Sequence, residues 1–417
     1  MLGIAALDAQ SQRGTATKRA VTAAKPKLFE CTKRITTADW LTLMRSVNET
    51  NPGLVNLMFT DADVRKGQVD NMRELLAIAC EAVRDRIAET EPYRSELANI
   101  ELEVTAVALD RFKYPAAGRS PFENITAEQI AAFYKIAGNE KRFDAFLATK
   151  VALLELDDLP GGSRPVTDEE RVQARDQFAR MSITAAGKRS RTSGVTADFN
   201  SRVALMIKLQ QAQFLARSYG RKMADSYTVS ESEIKAYIAA SPELSTDDER
   251  ARANEVLRRA LAGEDFASLA DQFSEDPGNR DSDKSNGGAY FDVPKGRMIT
   301  EFEKAALSLE PGKIYSELVE TDYGFHVIKL DRVGDRTDPE MTYDVRHILI
   351  STVVSDPDDP GIAEMPIKDF VRNKLESEKE SKNIDRIIAA KPIEIAAIPT
   401  AFPPAAKPAA KPVKPKR

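Results

Sequence analysis

The chain has 417 residues, of which 42% are hydrophobic and 30% charged, with a net charge of -5 and a pI near 5.5. That length exceeds one ordinary core and calls for two or more domains, and the composition is that of a globular, soluble chain. The acidic balance speaks against a nucleic-acid surface as the main partner, and no apolar run approaches membrane-spanning length.

Residues 1–24 open on a short apolar patch, Leu2 to Leu7, followed by small residues. This reads either as the end of a secretory signal lacking its basic and early apolar parts or as a plain disordered terminus. Residues 25–240 read as successive amphipathic helices. One starts near Thr37, a good N-cap before Ala38, Asp39 and Trp40. A second carries Met72, Leu75, Leu76, Ala79, Cys80, Val83 and Ile87 on one face, which makes Cys80 a core thiol before a nucleophile or ligand. Cys31 is the other cysteine, and spacing alone neither pairs the two nor separates them. A third helix runs through Leu205, Leu209, Ala212 and Ala216. Two further starts share one pattern, Thr126 before Glu128 and Gln129, and Ser230 before Glu231 and Glu233, as capped helices begin. Residues 160–165 (PGGSRP) and 186–194 (AGKRSRTSG) read as exposed loops, the second basic enough for an anion but better explained as solvated.

Near Ser241 the character changes, and a compact mixed region occupies 241–352. Residues 353–395 hold a charged helix, Ile367 to Ala390, that needs a partner for Phe370, Val371, Leu375, Ile384, Ile387 and Ile388 and is expected to return to the helical module. Residues 396–417, rich in Pro, Ala and Lys, lack the means to form a core and read as a disordered basic tail. The fold class is therefore α+β, a mainly helical module plus a small domain.

The only two histidines lie in that small domain. His326 sits in Gly324 to Val333 (GFHVIKLDRV) and His347 in Tyr343 to Ile350 (YDVRHILI), both strand-like runs, with turn chemistry from Gly334, Asp335, Asp338 and Pro339 between them. A hairpin folding around Arg336 and Thr337 places His326 opposite His347, Ile328 opposite Val345, Leu330 opposite Tyr343, Phe325 opposite Ile348 and Lys329 opposite Asp344. From the residues alone, the pair is either two satisfied imidazoles in a half-buried sheet or a functional constellation. Zinc would need carboxylates to complete the shell, since no cysteine or third histidine lies near.

Residues 256–330 carry an ordered set of motifs: Gly263-Glu264-Asp265-Phe266, Phe273-Ser274-Glu275-Asp276, Gly287-Gly288, Gly296-Arg297-Met298, Phe302-Glu303 with Ala305-Ala306, Pro311-Gly312, and Tyr323-Gly324-Phe325-His326. In order and spacing this stretch resembles the parvulin family of peptidyl-prolyl isomerases. That family implies a four-stranded antiparallel sheet with surrounding helices, and a first strand of the R-H-I-L-V type ahead of the first helix. No such strand precedes the helix opening at Asp247 to Leu257. The matching run is downstream, Val345-Arg346-His347-Ile348-Leu349-Ile350, as a circular permutation would place it. The other reading, the start of a second domain, finds no further motif after Ser351.

By position, the resemblance implies a proline-binding floor of Met298 and Phe302, with Tyr290 where the family usually has Leu. It implies an active centre of His326 and His347 joined by Thr321 and Tyr323, with Asp276 where family members carry Cys or Asp. The common G-G-D-L-G-x-F run is altered to Gly287-Gly288-Ala289-Tyr290-Phe291-Asp292-Val293, which leaves a narrowed pocket and a reduced activity open. No cofactor and no metal are implied. Helices on both sides of the domain resemble the layout of SurA-type foldases. That layout implies a chaperone acting on unfolded or proline-containing polypeptides, periplasmic or secreted, with a cytoplasmic location left open; no integral membrane segment is expected from the hydropathy, and no oligomeric state is legible. A holdase whose parvulin domain only docks peptides is the alternative.

Overall fold

The structure is a computed structural model and describes residues 29–115, 120–156, 164–187, 194–281, 284–338, 340–356, 361 and 363–403. The region read as a signal, 1–24, the final residues of the Pro/Ala/Lys tail and most of the loops 160–165 and 186–194 lie outside them. Two compact units divide the chain: one takes residues up to Lys222 together with those from Arg386, the other Met223–Asp385.

The first unit is helical: α1 (Thr37–Asn48), α2 (Pro52–Thr60), α3 (Ala62–Arg84), α4 (Tyr93–Lys113), α5 (Ala127–Lys135), α6 (Asn139–Leu156), α7 (Asp168–Ala186) and most of α8 (Ala197–Tyr227). Local chemistry sets the starts. Thr36, one residue before the expected cap, closes a capping box with Asp39, and Thr126 does the same with Gln129. The expected 72–87 stripe is split, because α3 ends at Arg84 and left-handed Arg86 turns Ile87 into a one-turn 3-10 helix. Phe133, Phe143 and Phe178 form one core cluster, and Ala108, Leu109, Phe199 and Val203 another. The two ends of the described chain are tied: Arg34–Ile35 pairs in parallel with Glu394–Ile395, and the Trp40 indole donates to the Ala396 carbonyl at 2.8 Å. Cys31 and Cys80 are free thiols, with the Cys31 Sγ 3.9 Å from the Cys80 carbonyl.

The second unit is built on a four-stranded antiparallel sheet, β1 (Ala289–Pro294), β2 (Val319–Thr321), β3 (Gly324–Val333) and β4 (Thr342–Ser351), in the order β1-β4-β3-β2. The last strand of this sheet in sequence, the one with His347, is thus a central strand, joined to β3 in one hairpin. Both faces are covered, which explains the nearly continuous apolar runs of the two central strands. On one face Ile328, Leu330, Tyr343 and Val345 pack with Phe302, Ala305 and Ala306 of α12 (Thr300–Leu307). On the other, Val327 and Ile348 meet α10 (Asp247–Leu261) and α11 (Phe266–Phe273).

The register differs from the expected one by two residues. His326 lies opposite Leu349 and His347 opposite Ile328, while Leu330 faces Val345. The turn is longer than assumed: Gly334 N–H still bonds the Thr342 carbonyl at 3.0 Å, and an irregularity between Leu330 and Arg332 absorbs one residue. A shift of two keeps every side chain on its face, so the histidines remain on one face, diagonally placed. It also re-pairs the charges. Lys329 faces Arg346, with Asp331 bridging both at 3.1 and 2.7 Å, and Asp344 goes to Arg332.

The second unit begins earlier than Ser241. α9 (Glu231–Ala240) buries Ile234 with Leu244 and with Val371 of α13 (Ile367–Ala390), so the greater part of α13 packs within this unit.

Candidate active site

The site is assembled from four segments around β4. Glycines let them approach: Gly288 has φ +72°, and a Cβ there would lie 2.2 Å from the His347 carbonyl oxygen. Gly288 in turn accepts the His347 N–H at 3.0 Å, which fixes β4 against the corner. Beyond that point the loop holding Asp276 runs beside the same strand: Glu275 N–H bonds the Leu349 carbonyl at 2.8 Å, and Leu349 N–H the Ser274 hydroxyl at 3.3 Å. Asn279, almost wholly buried, ties this loop inward by donating to Ala270 O at 3.0 Å and accepting from Gly288 N–H. The roles of Ser274, which stands in the quoted Phe273–Asp276 motif, and of Asn279 were not read from the sequence; the Pro277-Gly278-Asn279 turn directly after that motif is the signal that was there to use.

His326 and His347 are 5% and 7% exposed, and their rings stack with centroids 5.4 Å apart and Nδ1 to Nδ1 at 3.2 Å. Thr321 Oγ1 is 2.9 Å from His326 Nε2, and His347 Nε2 is 2.8 Å from Asp276 Oδ2. The Tyr290 hydroxyl donates to the same Asp276 oxygen at 2.7 Å, and Gly278 N–H to the other at 3.1 Å. Tyr323 joins by its backbone N–H, which donates to Thr321 Oγ1 at 3.2 Å, while its ring is half exposed. The seven residues, Gly278 and Tyr323 through their backbone N–H groups, therefore form one connected set of hydrogen bonds.

Its direction follows from the acceptor-only carboxylate. Burial opposes the charge of Asp276, but hydrogen bonds from His347 and Tyr290 outweigh it and hold the carboxyl down at about 2. His347 Nε2 must then donate. The roles in the Nδ1–Nδ1 contact and in the contact of His326 Nε2 with Thr321 are set by the tautomers of the two rings. Burial, and then the neighbouring His347, push His326 down to about 3, so this ring is neutral at pH 7. Burial and Asp276 raise the Tyr290 phenol.

Phe302 stands over both imidazoles edge-on, at 5.4 Å from His326 and 5.2 Å from His347. Met298 and Tyr290 pack at the margin of the same apolar cluster. Glu303 holds the loop that carries Met298, accepting Gly296 N–H at 2.8 Å and the Tyr343 hydroxyl at 3.1 Å. Of the eight residues singled out in the sequence, Met298, Phe302 and Tyr290 lie at the apolar cluster and His326, His347, Asp276 and Thr321 in the polar network beside it, while Tyr323 joins by its backbone alone. Among the described residues no group of three or more His, Cys, Asp or Glu is placed to hold a metal, and no helix is long and apolar enough to cross a membrane.

Residues 236–332 match the family described as Rotamase, the PPIC-type PPIASE domain. That match ends before β4, the strand that carries His347. Similar proteins include Foldase protein PrsA 4 of Bacillus cereus, 35% identical over 152 residues (36% of this chain, 52% of the relative). Foldase protein PrsA of Geobacillus kaustophilus is 31% identical over 175 residues, 40% of this chain and 52% of the relative. Chaperone SurA of Chromohalobacter salexigens is 29% identical over 148 residues, 34% and 32% of the two chains. The chain spans about half the length of the first two of these curated relatives, and less of the third.

Proposed function

We propose that this chain, which carries a parvulin-type peptidyl-prolyl isomerase domain, catalyses cis–trans isomerisation of X-Pro bonds in unfolded polypeptides and assists their folding. The observation that carries the reading is the buried His326–His347 pair beneath Phe302, held at its ends by Thr321 and Asp276.

The X-Pro barrier, on the order of 20 kcal/mol, comes from amide resonance. The planar amide carries the larger dipole, and the twisted one has lost that charge separation. A floor of Phe302 and Met298 that grips the proline ring removes the amide from water and so favours the twisted form. The imidazole pair does no covalent chemistry in this account. Every ring nitrogen is already engaged, which makes the network a rigid support for the floor. Asp276 acts through His347, with both carboxylate oxygens occupied.

The helical unit supports the chaperone half of the proposal. A cleft of about 1120 Å³ there is walled by Leu102, Phe133, Ile136, Ile183 and Val195, with the buried Ser182 hydroxyl unpartnered on its wall, a setting suited to an extended apolar segment and its backbone. The same cleft favours a second reading, a holdase whose altered 289–293 loop has lost catalysis. Clients in transit to a periplasmic or extracellular location suit both, and cell fractionation tests that location.

NMR exchange on short X-Pro peptides separates the readings. The wild type is expected to accelerate exchange and a Met298→Ala, His326→Ala double variant to lose most of that acceleration. Equal rates for the two proteins, with aggregation of a proline-free client still suppressed, would leave only the holdase.

A further inference from the structure

Tyr290 stands where the family pattern has an aliphatic residue, and its hydroxyl is spent on Asp276. We infer that Tyr290 is a positioning residue of the isomerase site, seating Asp276 against His347 through a hydroxyl that Gly278 makes room for. This deepens the proposed function and rests on it.

Three observations carry the inference. Asp276 Oδ2 accepts both the Tyr290 O–H at 2.7 Å and His347 Nε2–H at 2.8 Å, so one oxygen is fixed from two sides by neighbouring strands β1 and β4. The ring of Tyr290 lies 5.3 Å from that of His347, which leaves the phenol no need to reach across the pocket. A Cβ at residue 278 would fall 1.8 Å from the Tyr290 oxygen and 2.8 Å from the ring carbon that bears it. With Asp276 Oδ2 3.2 Å from the same point, the missing side chain at 278 leaves the room that the Tyr290 hydroxyl and its carboxylate partner occupy, and residues 12 apart in sequence form one device.

The device has a chemical consequence. A carboxylate next to a single imidazole is free to rotate and to let its partner turn around. Clamped by Tyr290 and by Gly278 N–H, Asp276 presents one fixed acceptor to His347 Nε2 and so holds that ring in place beside His326. A leucine at 290 supplies a wall to the pocket and no such clamp.

The test uses the full chain labelled with ¹⁵N, in which two histidines give four ring-nitrogen signals. Tyr290→Phe keeps the ring and removes the hydroxyl. Expected are a changed His347 Nε2 signal and a roughly ten-fold fall in kcat for an X-Pro peptide, the loss of one charge-assisted hydrogen bond, with KM unchanged because the wall remains. Gly278→Ala is expected to lower Tm markedly beside Tyr290 and much less in a Tyr290→Leu background. Unchanged ring signals and kcat in Tyr290→Phe, or an equal cost of Gly278→Ala in both backgrounds, overturn the inference. An inactive wild type refutes the proposed function and takes the positioning role with it, whereas an active wild type indifferent to Tyr290→Phe refutes the positioning role alone.

Discussion

Acid should destabilise this protein through the buried imidazole of His326. His326 is 5% exposed and is held down at about 3 by burial and then by His347, whereas an unfolded histidine titrates near 6.5. Between those values the unfolded chain takes up a proton that the folded chain refuses, so the contribution to stability is present above pH 6.5 and is lost as pH falls towards 3. The slope approaches ~1.4 kcal/mol per pH unit, which integrates to about 3 kcal/mol between pH 7 and pH 4. Asp276, with its folded value at about 2, adds to the loss only below about pH 4, where unfolded carboxylates begin to protonate. Comparison with a His326 variant separates this contribution from that of the carboxylates, which both proteins share. The assay is urea unfolding of wild type and His326→Gln at pH 7, 6, 5 and 4. The stability difference between the two proteins should shrink by about 3 kcal/mol across that range. Parallel curves would refute the reasoning, since they would mean that His326 titrates alike in both states.

Gly288→Ala forces a Cβ to within 2.2 Å of the His347 carbonyl oxygen at φ +72°, and should cost on the order of 3 kcal/mol and about 10 °C in Tm; calorimetry checks this. Cys80 is 7% exposed, and its thiol is pushed up to about 12 by burial and by the neighbouring Cys31. Mass spectrometry after brief alkylation at pH 8 should find exposed Cys31 modified and Cys80 protected until the chain unfolds.

Much of the architecture was legible because its causes are local. The Thr126 and Ser230 boxes announce α5 and α9, and the period of apolar residues fixes α13 from Ile367 to Ala390. The placement of β4 was legible for another reason: the small domain lacked a strand, and one matching run stood downstream. What failed depended on geometry between segments. The hairpin register shifted by two because a long turn and a bulge at Asp331 outweighed the neat pairing of Lys329 with Asp344. Face was preserved, so the histidine pair survived the error. The Tyr290–Asp276 bond was illegible, since nothing in a 14-residue separation says that a phenol will fold back on a carboxylate. The sequence suggested only a narrower pocket. Tyr323 was expected beside the histidines and joins them through its backbone N–H, a detail that residue identity does not carry.

The central claim is that β4, although it lies outside the matched domain, completes the isomerase site by bringing His347 to His326. The most direct measurement is NMR exchange of an X-Pro peptide by the full chain and by its His347→Ala variant, with folding of the variant verified by circular dichroism. A folded variant with activity reduced at least ten-fold is the predicted result. A folded variant as active as the wild type would contradict the claim.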